Sequence, residues 1–270
     1  MRVSSLHVYP VKSMRGLSID AARVRPSGLA GDRRWMVVDR AGKFLTQRSH
    51  PVLATIDASP GADSLTLRAN GEAQQVKTPA RSPRAQVSVW GSQVDAAIAD
   101  AATNQWLSAI LGEPVRLAFM DHDAARETPR EWTPSPSPLG FADALPFLIA
   151  TTASLKALND EIEAGGGAPV VMARFRPNIV IDHDAPWAED HWRQLRIGDA
   201  IFDCVKPCAR CVITTIDQQT GEATGKEPLK SLAKLRRSTD RRINGVLFGV
   251  NAIATRTGQC KVGDAVEVLA

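Results

Sequence analysis

Short runs of alternating apolar and polar residues dominate the first hundred positions, the pattern of strands with one buried face. The first run covers residues 3–9 and is stopped by Pro10, after which residues 9–16 turn back. A Gly-rich turn at 28–31 leads into a strand over 32–39, headed by Asp32, Arg33 and Arg34. Asp39-Arg40-Ala41-Gly42 has turn chemistry and predicts a return strand over 43–47. Runs at 52–58, 64–69, 74–77, 86–89 and 93–96 follow, spaced as in an all-β barrel or sandwich. At 97–111 the rhythm changes. Ile98, Ala101, Ala102, Trp106, Leu107 and Ile110 fall at helical spacing, and Gly112 with Pro114 ends that helix.

One more strand, 115–119, precedes a polar passage from 121 to 138 that holds Pro129, Pro134, Pro136 and Pro138. It reads as a linker or surface lid, dividing the chain into domains 1–120 and 141–270 with a Pro-rich connection at 121–140. The second half opens at 141–149. A helix is expected over 152–163, with Thr151 or Thr152 as N-cap and Gly165-Gly166-Gly167 as terminator. Arg174 to Asn178 leads into a strand at 179–182. Residues 195–202 and 260–267 are matching strand–Gly-Asp–strand turns, of the kind used at barrel corners. A short amphipathic helix at 227–237 would turn Leu229, Leu232 and Leu235 inward, and 247–254 is a final apolar strand. The fold class is mainly β with a few helices, α+β, built as two barrel-like domains.

Composition narrows the function classes. Thirty-three Lys+Arg against 29 Asp+Glu give a net charge of only +4, and aromatics at 5% are too few for a base-stacking surface. Nucleic acid is therefore not an expected partner, beyond modified bases as small substrates. No apolar run spans a membrane, and the start lacks the apolar core of a signal peptide. Four cysteines without an export signal point to free thiols in a reducing cytoplasm.

The densest chemistry lies at Lys206-Pro207-Cys208-Ala209-Arg210-Cys211, followed by Thr214, Thr215 and Asp217 on an expected outgoing strand. Four readings of the two thiols stand open. They are inert reduced cysteines; half of a zinc site, which would need two further ligands; a thioredoxin-like pair, which would want a helix rather than a β-branched run behind it; or one thiolate ligating a metal cofactor.

The ordered set Tyr9-Pro10-Val11-Lys12-Ser13, Asp32-Arg33-Arg34-Trp35, Phe175-Arg176-Pro177-Asn178, Cys208-Ala209-Arg210-Cys211, Thr214-Thr215-Ile216-Asp217, Lys226-Glu227-Pro228-Leu229 and Val262-Gly263-Asp264 resembles the MOSC superfamily with its N-terminal β-barrel partner. More narrowly, it is similar to the mitochondrial amidoxime-reducing component and its bacterial relatives. The resemblance implies a molybdenum cofactor, a Mo-pyranopterin held by a single protein thiolate at Cys211. It places Lys12, Ser13, Arg33, Asp143, Arg176, Asn178, Ala209, Arg210 and Asn251 at cofactor-contacting positions, with Asp143 and Asn178 also candidates for orienting the pterin or relaying protons. Cys208 becomes a supporting thiol, and Cys204 and Cys260 ordinary strand residues.

The implied activity is reduction of an N-hydroxylated compound to the amine in a bacterial cytoplasm. The chain departs from its relatives at Leu145, where a small hydroxyl residue is usual, at Ala209, where some have serine, and at Asn251, where some have tyrosine. It ends at Ala270 without a ferredoxin domain, so electrons would come from a separate flavin or iron–sulfur protein. The rival reading is a non-catalytic carrier of cofactor or sulfur. A pyridoxal phosphate role, attached to the family as a label, finds no strand–Lys–Gly-rich context here.

Overall fold

The computed structural model describes residues 1–80 and 83–270. It is mainly β, as the alternation predicts. The largest sheet has eight strands in the order Val266–Val268, Gln194–Ile197, Ala200–Arg210, Val246–Arg256, Phe147–Thr151, Ile179–Asp182, Arg2–Val8 and Leu17–Ile19. Most neighbours run antiparallel, but Phe147–Thr151 and Ile179–Asp182 are parallel, with the helix Thr152–Ala164 between them in sequence. Two strands of the first half thus complete the sheet of the second. A smaller sheet does the same, pairing Ala21–Arg25 with Gly258–Lys261. The other two sheets belong to the first half, with orders Trp35–Val38, Arg116–Phe119, Ser92–Ile98, Arg84–Val89 and Asp57–Pro60, Ser64–Ala69, Glu72–Lys77.

Each half centres on an apolar layer, and that of the second half includes side chains from the strands that the first half lends it. In the second, Phe147 and Phe202 meet edge to face at 5.1 Å beside Leu6, Ile149 and Ile179. Phe175 stacks on Phe248 at 3.8 Å under the helix residues Leu158 and Ile162. In the first, Leu53, Leu65, Leu67 and Leu117 pack on Leu107 of the helix Ala101–Leu111. Among the described residues no helix is long and apolar enough to cross a membrane.

Several local expectations need correction. The helix begins at Ala101, because the Asp100 carboxylate accepts the N–H of Thr103 and caps it there, which leaves Ala97 and Ile98 in the preceding strand. Residues 52–58 do not form one strand. Pro51 lacks an N–H and starts a 3-10 turn, Pro51–Thr55, before the strand Asp57–Pro60 begins. The return strand at 43–47 is reduced to isolated bridges, since its end is drawn inward by the fully buried amide of Gln47. Leu229 and Leu232 pack inward on the helix Leu229–Leu235, but Leu235 at its last position is 41% exposed. The Pro-rich passage is packed rather than detached: Thr128, Trp132 and Thr133 are buried, and Glu127 bridges to Pro138.

Candidate functional site

The long strand Ala200–Arg210 carries the Cys208–Cys211 segment at its end, and its ladder with Val246–Arg256 is irregular there. Pro207 pairs with Val250 and Ala209 with Leu247, with a register shift between them around Cys208. Such bulges re-aim side chains at the edge of a site. Cys211 then starts a 3-10 turn, Val212–Thr215, so Thr214 and Thr215 are buried in that turn and not on an outgoing strand. Their hydroxyls donate to the carbonyls of Cys211 and Val212, at 2.9 and 2.8 Å, which closes the turn.

Three backbone positions facing this strand end are held at positive φ without glycine: Ser13 at 67°, Arg33 at 44° and Arg176 at 54°. Left-handed backbone at ordinary residues costs energy and persists where the surroundings enforce it. Here they do. Arg33 N–H donates to Tyr9 O and Phe141 N–H to Arg33 O, both at 2.8 Å. Gly140 has no room for a side chain, since a Cβ would stand 2.8 Å from the Arg33 carbonyl oxygen.

The result is a cleft of about 280 Å³. Cys211, Asp143, Asn178, Lys12, Ser13, Arg33, Arg176, Ala209, Arg210 and Asn251 all line it, so the ten positions named from sequence converge on one place. Sequence reasoning left out Thr46, Arg48, Leu148, Phe175, Lys206 and Ile213, which line it too. Arg48 and Thr46 carried a usable signal, a polar triplet where a return strand should alternate. Lys206 had one as well, a cation within a strand.

Six cations face the cleft, and their partners fall into two kinds. Lys12, only 5% exposed, forms an ion pair with Asp143 and donates to Phe141 O at 3.0 Å. Burial would push the Asp143 carboxyl up, but the Lys12 ammonium, the Trp90 indole and Arg33 outweigh it and hold it well below the usual carboxylate range. Burial pushes the Lys12 ammonium down, against the pull of Asp143. Arg33 pairs with the buried Asp32 at 2.7 Å and donates to Asn178 Oδ1 at 3.0 Å. The Asn178 amide also accepts from Leu148 N–H and donates to His7 O.

The other four cations meet no carboxylate within ion-pair distance among the described residues. Arg176 donates to Gln218 Oε1 at 3.2 Å, and its guanidinium and that of Arg33 lie 4.2 and 4.3 Å from the centre of the Tyr9 ring. Burial pushes the Arg176 guanidinium down to about 10, with Arg33 adding to the effect and Tyr9 opposing it. Arg210 donates to Cys208 Sγ at 2.8 Å and to Phe175 O at 2.6 Å, and its buried Nε has no partner. Arg48 donates to Cys211 Sγ at 3.2 Å and lies over the Trp90 ring at 5.0 Å. Lys206 lies over Trp132 at 4.8 Å.

All four cysteines are free thiols. Burial pushes Cys204 and Cys260, both in strands, up to about 12, which keeps them protonated and inert. Cys208 and Cys211 each accept from a guanidinium instead. No group of three or more His, Cys, Asp or Glu side chains suited to a metal ion comes together among the described residues. The donor set is thus one thiol at a time beside a surplus of positive charge. It fits a ligand that brings its own metal donors and its own negative charge, and the orphaned Arg210 Nε is a ready donor to that charge.

Residues 1–114 match the family model described as the MOSC N-terminal beta barrel domain, and residues 136–267 match the MOSC domain. The chain is 34% identical over 282 residues to mitochondrial amidoxime-reducing component 1 of Homo sapiens, covering 99% of this chain and 82% of that protein. Its identity to the Mus musculus protein of the same name is 32%, with the same coverage. With the molybdenum cofactor sulfurase of Oryza sativa subsp. japonica it shares 29% identity over 99% of its own length, but only 35% of that longer protein. The likeness therefore runs through both halves and includes every segment that lines the cleft.

Proposed function

The chain belongs to the MOSC family, and we propose that it is a molybdenum-cofactor-dependent reductase of N-hydroxylated compounds that takes its electrons from a separate donor protein. The names of the relatives that it matches over most of their length support the reaction class. The observation that carries the reading is the pairing in one cleft of an accessible thiol, Cys211, with four cations that no carboxylate neutralises.

In this reading Cys211 Sγ holds the metal, while Arg176 and Arg210 hold the anionic parts of the cofactor. When bound, the cofactor supplies the two-electron chemistry that cleaves an N–O bond, with two protons consumed and the oxygen leaving as water. Asp143, kept ionised by Lys12, orients that ammonium and the cleft floor and is a poor proton donor. Asn178 positions Arg33 against Leu148, its amide oxygen accepting from both. Arg48 holds the Cys211 sulfur in place from the solvent side. A flavin or iron–sulfur protein is the proposed donor and the cytoplasm the proposed setting.

Protein expressed in a host that makes the cofactor should contain molybdenum and pterin. Cys211→Ser should lose the metal and Cys208→Ser should keep it, because an alcohol is a much harder donor than a thiolate. Equal loss in both variants overturns the assignment. Mixed with NADH and a hydroxylamine, the loaded protein should turn over only after a flavin or iron–sulfur reductase is added. A loaded protein that stays inactive with every donor would point to the carrier reading, which the likeness to a cofactor sulfurase supports.

A further inference from the structure

Arg176 has an unusual partner for a half-buried cation. The oxygen that it meets, Gln218 Oε1, belongs to a neutral amide only 6% exposed. That amide is locked. Gln218 Nε2 donates to Gln47 Oε1 and to Ile216 O, each at 3.1 Å, while Gln47 Nε2 donates back to Gln218 Oε1 at 3.1 Å and to Ser13 O at 2.7 Å. Both N–H bonds of each amide are used, so neither can rotate by half a turn without setting donors against donors. The two glutamines lie 171 positions apart and join the halves of the chain directly behind the cleft.

We infer that Gln218 is a positioning residue that aims Arg176 into the cleft while leaving its positive charge uncancelled for an anion, and that Gln47 ties this aim to the contact between the two halves. A glutamate at 218 would have the same length and would hold Arg176 more strongly. It would also neutralise it, and would leave Gln47 Oε1 and Ile216 O without donors. The neutral amide supplies direction without compensation. Arg33, also lining the cleft, shows the alternative, a guanidinium fixed by the carboxylate of Asp32. Arg176 is therefore a half-buried arginine that can answer a ligand's charge, such as that of a phosphate monoester.

This inference rests on the reading of the cleft as an anion-holding cofactor site, and it is tested on cofactor-free protein with inorganic phosphate as the probe. Melting temperature against phosphate concentration gives an apparent affinity, since a ligand bound only by the folded state raises Tm. Wild type should be stabilised, and Arg176→Gln sets the full loss. Gln218→Glu should weaken phosphate roughly tenfold or more, approaching Arg176→Gln, because a carboxylate at hydrogen-bond distance cancels the charge. Gln218→Met, similar in size and uncharged, leaves Arg176 its charge but not its aim and should weaken phosphate by an intermediate factor, about threefold, even if it lowers Tm as much as Gln218→Glu does. A merely structural role for Gln218 would instead make both variants lose phosphate in proportion to their loss of stability, and that outcome overturns the inference alone. Should Gln218→Glu fail to fold, Gln218→Met decides by itself, and phosphate binding unchanged from wild type there overturns the inference. A wild-type protein indifferent to phosphate overturns both the inference and the anion-holding reading of the cleft, whereas loss of molybdenum in Cys211→Ser tests the metal assignment separately.

Discussion

The two ends of the cleft solve the same problem in opposite ways. At one end, Lys12 and Arg33 are buried cations with carboxylates of their own, Asp143 and Asp32. At the other, around the thiols, Arg48, Arg176, Lys206 and Arg210 meet sulfur, amide and carbonyl oxygens and aromatic faces, none of which cancels a charge. A buried ion pair is complete without a ligand, and removing one partner strands the other. A cation with neutral partners is paid for only when an anion arrives. The first end therefore belongs to folding and the second to binding, although side chains of the same types build both.

The sharpest way to break this comparison is at Asp32, which is 3% exposed and also accepts the Tyr9 N–H at 2.8 Å. Asp32→Ala strands the Arg33 guanidinium in the interior and should cost about 3–5 kcal/mol of stability, read as the midpoint of urea unfolding. Arg210→Met at the other end should cost less, about 1–2 kcal/mol, because it loses the bonds to Phe175 O and Cys208 Sγ but strands no charge, and the methionine stem can still pack on Phe175. Cofactor retention should nevertheless fall sharply in Arg210→Met. Similar unfolding midpoints for the two variants would abolish the distinction between the ends.

A smaller effect is expected at Asp143, whose side chain is 59% exposed and so partly screened by water. Its folded pKa is depressed, mainly by Lys12 acting against burial. The stability that it contributes is therefore fully present above the unfolded carboxylate range, near pH 4, and is lost as pH falls through the folded value. Asp143→Asn should lower Tm by about 4 °C at neutral pH, with the gap closing below about pH 4. A gap of the same size at pH 3 and pH 7 would show that the Lys12 pair is not what holds this carboxylate.

The paired end was the more legible of the two. Lys12 and Arg33 sit in segments whose order along the chain resembles a known family, Asp143 is a position that the resemblance implies, and Asp32 is adjacent to its partner in sequence. Strands such as Ser64–Ala69 and Ile179–Asp182 were also readable, the first because its inward side chains alternate and the second because it is a short apolar run buried on both faces. The neutral partners were not. Nothing near Gln218 in sequence says that it meets Gln47, and nothing near Arg48 says that it reaches Cys211, 163 positions away. A polar residue with a distant partner looks like a surface residue until the fold brings the two together. The same limit explains Leu235, where helical spacing predicts burial but the helix ends before anything packs over it.

Glu189 supplies the smallest effect and a control for the whole comparison. It is an acid with neutral partners, 1% exposed, and it lies outside the cleft: Oε2 accepts from Thr151 and Ser154 hydroxyls at 3.0 and 2.9 Å, and Oε1 is buried without a partner. Burial pushes its carboxyl above the ordinary glutamate range, against those hydrogen bonds. A raised folded pKa means that the folded state holds its proton longer than the unfolded chain does. The resulting penalty is absent below the unfolded value, near pH 4.3, and grows as pH rises from there toward the folded value. Glu189→Gln cannot ionise and escapes it. Its Tm relative to wild type should rise between pH 4 and pH 8, reaching a gain of about 2 °C. Phosphate should leave that gain unchanged, because no ligand-facing cation is involved. A gain that does not vary with pH would mean that Glu189 keeps the same protonation on folding. A gain that phosphate abolishes would mean that uncompensated charge outside the cleft also answers to the ligand, and the division between a folding end and a binding end would fail.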